Sequence, residues 1–347
     1  MNRTKNLLNL IGDRLATLPL VVLYLTDGCN SRCISCDIWK LPRRNISLEL
    51  VDNLIPQLVA LNTHHVLLSG GEAMQHPGWH EIAAKFREAG IRVMLLTNGL
   101  LVQKQIELVS ENVDELIVSL DAAEAELYQH IRGVDAFDLV LRGIQLAAEQ
   151  GIPVTTRTTV QRANFRQIPQ IIDVALSHGV ESVSFLAVDV SNPFAFGERF
   201  TDDTVMPLQD QSMILNLDEI TELDQIINQL EKDHAADFES GRIAESPEKL
   251  RRILAQYFRS FHETIDYPRP RCNAPHFSTV IEVDGTLRPC YFLPSYGKLD
   301  SDLIRLPAIL NNNEAQRLRN AYQSGQRREC ERCVCPLYKG ARSLLRF

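Results

Sequence analysis

Cys29, Cys33 and Cys36 place three thiols in one short loop, at the spacing C-x3-C-x2-C. A tetrahedral zinc or an ordinary four-iron cluster asks for four thiolates. Three thiolates on a four-iron, four-sulfur cube leave one iron without a protein ligand. An open coordination position is where a catalytic metal binds and activates a substrate. A zinc site and three unrelated buried thiols are the alternatives. A second set comes late in the chain: Cys272, Cys290, Cys330, Cys333 and Cys335. Cys272 with Cys290, and Cys330 with Cys333, supply the four thiolates that close a four-iron cluster, and a structural zinc offers the same arithmetic. One thiol is left over. Cys335 is the first choice, with Cys330 and Cys333 open as the spare. Between the two sets, Ser69-Gly70-Gly71-Glu72 joins paired glycines, which let backbone approach a ligand, to a carboxylate able to accept from an ammonium group. An ordinary turn explains the same four letters.

These groups need a scaffold. The cysteine loop follows an apolar run, residues 20–26, that reads as a buried strand. A helix pattern over 47–61 follows, with Ser47 as its N-cap and Leu50 as its hydrophobic partner. Further strands are expected at 65–68, 92–96, 115–119, 154–160 and 183–188. Helices lie between them, two ending near Gly90 and Gly179. Six strand-then-helix units predict a parallel sheet, with functional loops at the C-terminal strand ends. An N-terminal helix is expected over 6–18, or else a loose tail. Asn192-Pro193 and Gly197 signal turns. Amphipathic helices are expected over 217–233 and 247–262, with a loop at 237–245. Residues 267–271 break helix. The strands 277–283 and 287–291 flank Asp284-Gly285, a hairpin signal that puts Cys290 at the hairpin's far end. The expected division is an N-terminal helical segment (1–19), a barrel (20–200), a helical linker (201–266) and a C-terminal unit (267–347).

The chain has 347 residues, 45% hydrophobic and 23% charged, with a net charge of −8. That is an ordinary globular composition. The acidic balance argues against nucleic acid as a partner. The apolar run 18–25 is too short to span a bilayer, and no signal-peptide cleavage site follows it. A cytoplasmic protein is expected, because eight cysteines in a reducing compartment are better explained by metal than by disulfides.

The spacing of Cys29, Cys33 and Cys36 resembles the defining motif of the radical S-adenosylmethionine (SAM) superfamily. Ser35 departs from the aromatic residue often found before the third cysteine, which puts packing near the adenine in doubt. Ser69 to Glu72 resembles the family's GGE motif, whose backbone binds the amino group of SAM. Ser119-Leu120-Asp121, Ile131-Arg132-Gly133 and Phe137 resemble the subgroup with SPASM or twitch extensions. The pattern of Cys272, Gly285, Cys290 and a late Cys-x2-Cys resembles the extension itself, in its one-cluster twitch form.

The resemblance implies an α/β fold: a partial (β/α)6 radical SAM barrel with a C-terminal twitch-like β-hairpin plus helix extension. It implies SAM, a 4Fe-4S cluster and one auxiliary 4Fe-4S cluster as cofactors, and an electron donor such as flavodoxin or ferredoxin. The SAM site is expected from Gly70, Gly71, Glu72, Ser119, Asn98 and Arg157, a structural ion pair being the alternative for Arg157. Asn164 resembles a recurrent family asparagine, or else caps a helix. Tyr291, directly after Cys290, is placed where relatives carry a base, and Cys335 is a candidate hydrogen-atom donor. Tyr291 packed on the auxiliary cluster and Cys335 as a ligand or an inert thiol are the bland alternatives. Only 28 residues precede Cys29, so the expectation is that no fused peptide-recognition domain of about eighty residues is present. That favours a small-molecule substrate, and an auxiliary cluster able to accept an electron favours its net oxidation. A peptide brought by a separate partner, and redox-neutral epimerisation, are the alternatives.

Overall fold

In the computed structural model, residues 3–190, 211–264, 271–299 and 305–345 are described. Six parallel strands carry the first half: β1 (Leu20–Thr26), β2 (His65–Gly70), β3 (Arg92–Thr97), β4 (Glu115–Ser119), β5 (Val154–Val160) and β6 (Ser182–Ala187). They lie in chain order across the sheet. The helices between them are α1 (Leu48–Ala60), α2 (Trp79–Glu88), α3 (Ile106–Asn112), α4 (Ala125–Arg132), α5 (Phe137–Glu149) and α6 (Ile168–Ser177). This is the expected partial (β/α)6 barrel. Alternation along each strand separates its two faces. Val21, Leu23, Val66 and Leu68 face the main core beneath the helices. Val22 and Tyr24 lie on the opposite, inner face and form a separate apolar cluster with Val280 and Val283. Ser47 caps α1 as expected, its hydroxyl accepting from the Leu50 N–H at 3.1 Å.

The hairpin forms at the expected turn, from β7 (Ser278–Ile281) and β8 (Thr286–Arg288), followed by β9 (Gly297–Lys298). Its placement was not readable from the sequence. β7 pairs in parallel with β1, Leu20 against Ser278 through Leu23 against Ile281. The C-terminal extension therefore continues the barrel sheet, giving nine strands in the order β6-β5-β4-β3-β2-β1-β7-β8-β9.

Three expectations are corrected. The N-terminal helix is a 3-10 helix that ends at Leu10. The Asn9 side chain turns the chain there: its Oδ1 accepts from the Ala16 and Thr17 N–H groups, and its amide donates to the Thr17 and His276 carbonyls. Leu15 and Leu18 are buried from extended chain instead. The 237–245 loop contains a short helix, Ala235–Ser240, and the 247–262 helix is interrupted by a π-helical turn, Arg251–Gln256. The expected linker also packs on the barrel. α7 (Leu217–Asp233) is capped by a reciprocal Asn216–Glu219 box and buries Ile220, Leu223, Ile227 and Leu230 in the main core. The Glu245 carboxylate then accepts from Ser184 Oγ at 3.0 Å and Phe185 N at 2.9 Å, covering the β6 edge. The turn signals at 192, 193 and 197, and most of 267–271, lie outside the described residues. No helix among the described residues is long and apolar enough to cross a membrane.

One buried base ties the two ends of the chain together. His276 lies between the Tyr322 hydroxyl at 2.9 Å and the Gln323 amide at 3.0 Å. Burial, with Arg319 nearby, lowers its pKa to about 4. Its ordinary value is 6.5, so the folded state resists protonating it. The stability it contributes is complete above pH 6.5 and is lost as pH falls toward 4. The expected loss is about 3 kcal/mol, read as a falling Tm between pH 6.5 and 4. His276→Gln should flatten that limb.

Candidate active site

The three-cysteine loop leaves the C-terminal end of β1 and is held by two elements. On one side the Gly71 N–H donates to the Thr26 carbonyl and the Glu72 N–H to the Gly28 carbonyl, both at 2.8 Å. This close approach explains the two glycines. Gly70 has φ +124, and a Cβ there would lie 2.3 Å from Thr26 O; a Cβ on Gly71 would lie 2.3 Å from Gly28 O. Because those N–H groups are committed, the turn offers an approaching ammonium group its carbonyls. On the other side, the Arg32 and Ile34 N–H groups donate to the Arg132 and Ile131 carbonyls at the end of α4, each at 3.0 Å.

Glu72 is almost wholly buried, at 1% exposure. Its Oε1 accepts from Met74 N at 3.1 Å and Thr97 Oγ1 at 2.8 Å, and its Oε2 accepts from Asn98 N at 2.7 Å. Three of four acceptor positions are thus filled by the chain itself. One remains for a ligand. Burial raises its pKa, although the three donors pull the other way. Glu72 thereby fixes the end of β3. From there the Asn98 amide donates to Asn30 Oδ1 at 2.7 Å and Ser31 Oγ at 3.0 Å, and lies 3.9 Å from Cys29 Sγ. Ser31 was missed by sequence reading, since a lone hydroxyl carries no spacing signal.

Ser119, Arg157 and Ser184 are in register across β4, β5 and β6. Among the described residues Arg157 makes no ion pair, and its Nε is buried without a partner. The structural ion pair considered for it therefore has no support here. Asn164 forms no side-chain cap. Its carbonyl accepts from Gln161 N at 2.8 Å, and its amide donates to the Asp121 and Thr159 carbonyls, stitching β4 to β5.

All eight cysteines are free thiols. Burial pushes the thiols of the first loop up, Cys36 to about 12, and neighbouring thiols push Cys29 and Cys36 further. Three adjacent half-buried thiols with raised pKa values become thiolates most readily around a cation, so this donor set fits an iron–sulfur cluster. Among the described residues no group of three or more His, Cys, Asp or Glu side chains converges on a single-ion site. A cube takes its thiolates at separate corners.

The second set is gathered as well. Cys290 feels Cys272, Cys330 and Cys335, and Cys333 feels Cys335, Cys272 and Cys290; burial pushes both thiols up. Cys335 thus lies within the group. Tyr291 reaches the barrel's inner face, its ring centroid 6.2 Å from that of Tyr24. Burial, with Tyr24 adding, pushes its hydroxyl up, while a hydrogen bond with Ser69 opposes this.

Residues 23–184 match the family model described as the Radical SAM superfamily, and residues 272–334 match the SPASM iron-sulfur cluster-binding domain. The chain carries a radical SAM domain followed by a SPASM domain. The two domains imply SAM and 4Fe-4S clusters as cofactors, and the C-terminal extension matches the SPASM iron-sulfur cluster-binding domain. An AdoMet-dependent heme synthase of Methanosarcina barkeri is 32% identical over 166 residues, covering 46% of this chain and 48% of that protein. A GTP 3',8-cyclase of Synechocystis is 30% identical over 192 residues, covering 53% of this chain and 58% of that protein. The chain thus spans about half the length of these curated relatives. In fold, it is similar to Streptococcus suis SuiB bound to S-adenosylmethionine, with TM-score 0.66 and 15% identity over 94% of this chain and 74% of that one. It is also similar to anSMEcpe with bound AdoMet, with TM-score 0.64 and 17% identity over 91% and 89%.

Proposed function

We propose that this radical SAM protein removes a hydrogen atom from a small molecule held against the inner face of the barrel, and oxidises it by two electrons. The position of Tyr291 carries the reading. It directly follows the auxiliary thiol Cys290 and packs near Tyr24 on that face, so the auxiliary thiols adjoin the pocket wall. When bound, SAM and the reduced cluster at Cys29, Cys33 and Cys36 supply a 5′-deoxyadenosyl radical. Carbonyls of Gly70 and Gly71 with Glu72 receive the ammonium group; Ser119, Asn98 and Arg157 hold the carboxylate and ribose. Val22, Tyr24, Val280 and Val283 keep water from the reacting carbon. Thiols of the second set would hold an auxiliary cluster, which would supply the electron acceptor that two-electron oxidation needs once a hydrogen atom is removed, the proton passing to solvent. A flavodoxin or ferredoxin is the expected electron donor. The names of the two curated relatives, a heme synthase and a GTP cyclase, support a small-molecule substrate.

A peptide is the second reading, because SuiB is described bound to the precursor peptide SuiA and anSMEcpe to peptides. Deuterium transfer decides between them. Incubated with deuterated metabolite extract, reduced protein should move deuterium into 5′-deoxyadenosine. Transfer from a labelled peptide alone would establish the second reading. With the substrate in hand, the product should be two electrons poorer, with no solvent deuterium at the reacting carbon. A redox-neutral product carrying one solvent deuterium, lost in Cys335→Ala while about four auxiliary irons remain, would make the enzyme an epimerase and Cys335 its donor.

The closeness of Cys335 to Cys272, Cys290 and Cys333 supports it as a fourth auxiliary ligand, which passes the spare-thiol role to Cys330. Cys335→Ala should then leave the auxiliary cluster on three thiolates and move its midpoint potential, while Cys330→Ala leaves that midpoint unmoved. The reverse pattern returns Cys335 to the spare role.

A further inference from the structure

A guanidinium stands against the first cysteine loop with no assigned part in the chemistry. Arg132 ends α4, and its side chain is only 12% exposed. Its carbonyl holds Arg32 N, one residue before Cys33. The next residue, Gly133, approaches so closely that a Cβ would lie 2.5 Å from Arg32 O. The α4 terminus and the cysteine loop are therefore in direct backbone contact, and the Arg132 charge is fixed relative to the thiols.

The charge is only partly compensated. Arg132 Nη1 donates to Asp121 Oδ2 at 3.0 Å. The other Asp121 oxygen accepts from Thr159 N at 2.7 Å, so that carboxylate is shared with the backbone. Arg132 Nε is buried without a partner, and the buried Tyr128 hydroxyl nearby also lacks a well-formed hydrogen bond. A buried guanidinium with an N–H left unpaired is costly. It is retained where another anion meets it. The cysteine loop, held against the α4 terminus through the Arg32 N–H, would present that anion as thiolates when a cluster is bound.

We infer that Arg132 and Asp121 form a charge pair that sets the reduction potential of the cluster on Cys29, Cys33 and Cys36, the guanidinium raising it and the carboxylate lowering it. A 4Fe-4S cluster on three thiolates is already anionic when oxidised, and one-electron reduction adds a further negative charge. A fixed cation in a low-dielectric site favours the reduced form. The distance from Asp121 to Arg132 decides how much of that preference survives. Arg132 acts on the cluster's charge and has no bond to make or break.

The test is an EPR-monitored redox titration of the reconstituted full chain without SAM or substrate, so its outcome does not depend on the proposed reaction. Arg132→Gln keeps N–H donors and removes the charge; the first cluster's midpoint should move negative, with the auxiliary midpoint unmoved. Arg132→Lys should return it toward the wild-type value. Asp121→Asn keeps an acceptor for Thr159 N and removes the opposing charge, and should move the midpoint positive. Midpoints unchanged in both Arg132→Gln and Asp121→Asn, or moved in the same direction, overturn the inference. If Arg132→Gln fails to load the first cluster, Asp121→Asn decides alone: a positive shift supports the pair and no shift overturns it.

Discussion

Replacing Cys29, Cys33 and Cys36 together with alanine should leave about four irons of about eight per chain and abolish SAM cleavage. The loop is pinned by backbone bonds from Arg32 and Ile34 to the end of α4, and by the Gly71 and Glu72 N–H groups. None of these contacts uses a thiol, so the fold should survive. Far-UV circular dichroism should match wild type, and the remaining irons should sit at the auxiliary site. Unchanged iron and unchanged 5′-deoxyadenosine formation would show that the first loop is not the catalytic cluster site.

Glu72→Ala should be the most damaging single change in the proposed SAM pocket. It strips acceptors from Met74 N, Thr97 Oγ1 and Asn98 N in a place that water does not reach. Each buried donor left unpaired costs about 1–3 kcal/mol, so the loss is roughly 3–9 kcal/mol, or a Tm lower by about 10 °C or more. SAM affinity should fall at least about tenfold, through the lost acceptor and the released Asn98. Glu72→Gln keeps one acceptor oxygen but turns an amide donor toward a donor, and should fall between the two. A melting temperature within about 1 °C of wild type in Glu72→Ala would show that the three hydrogen bonds contribute no net stability. Unchanged SAM affinity in a folded variant would return residues 69–72 to an ordinary turn.

Much of this was legible because it is local. Thiol spacing within one loop constrains the metal it can hold, whatever surrounds it. A Ser47 cap, the Asp284-Gly285 turn and apolar periodicity each act over a few residues, so strands and helices fell close to their expected bounds. The reading failed where a local pattern met a distant partner. Residues 6–18 had helical periodicity, yet Asn9 gains more from the carbonyls of Thr17 and His276. The stretch read as a linker had an amphipathic stripe, and such a stripe does not say which surface will bury it.

The chain alone determined the two thiol sets, the Gly-Gly-Glu turn and the six-unit barrel. Only the tertiary structure decided that β7 pairs with β1 and brings Tyr291 to the inner face near Tyr24. It also decided that Glu72 spends three of its acceptors on the protein, and that Arg132 stands beside Cys33 with Asp121 as its partner. The physical reason is common to all three. Hydrogen bonds and charge pairs between residues far apart in sequence depend on distances of a few ångströms, which composition and spacing do not encode and which packing of the sheet and its helices sets.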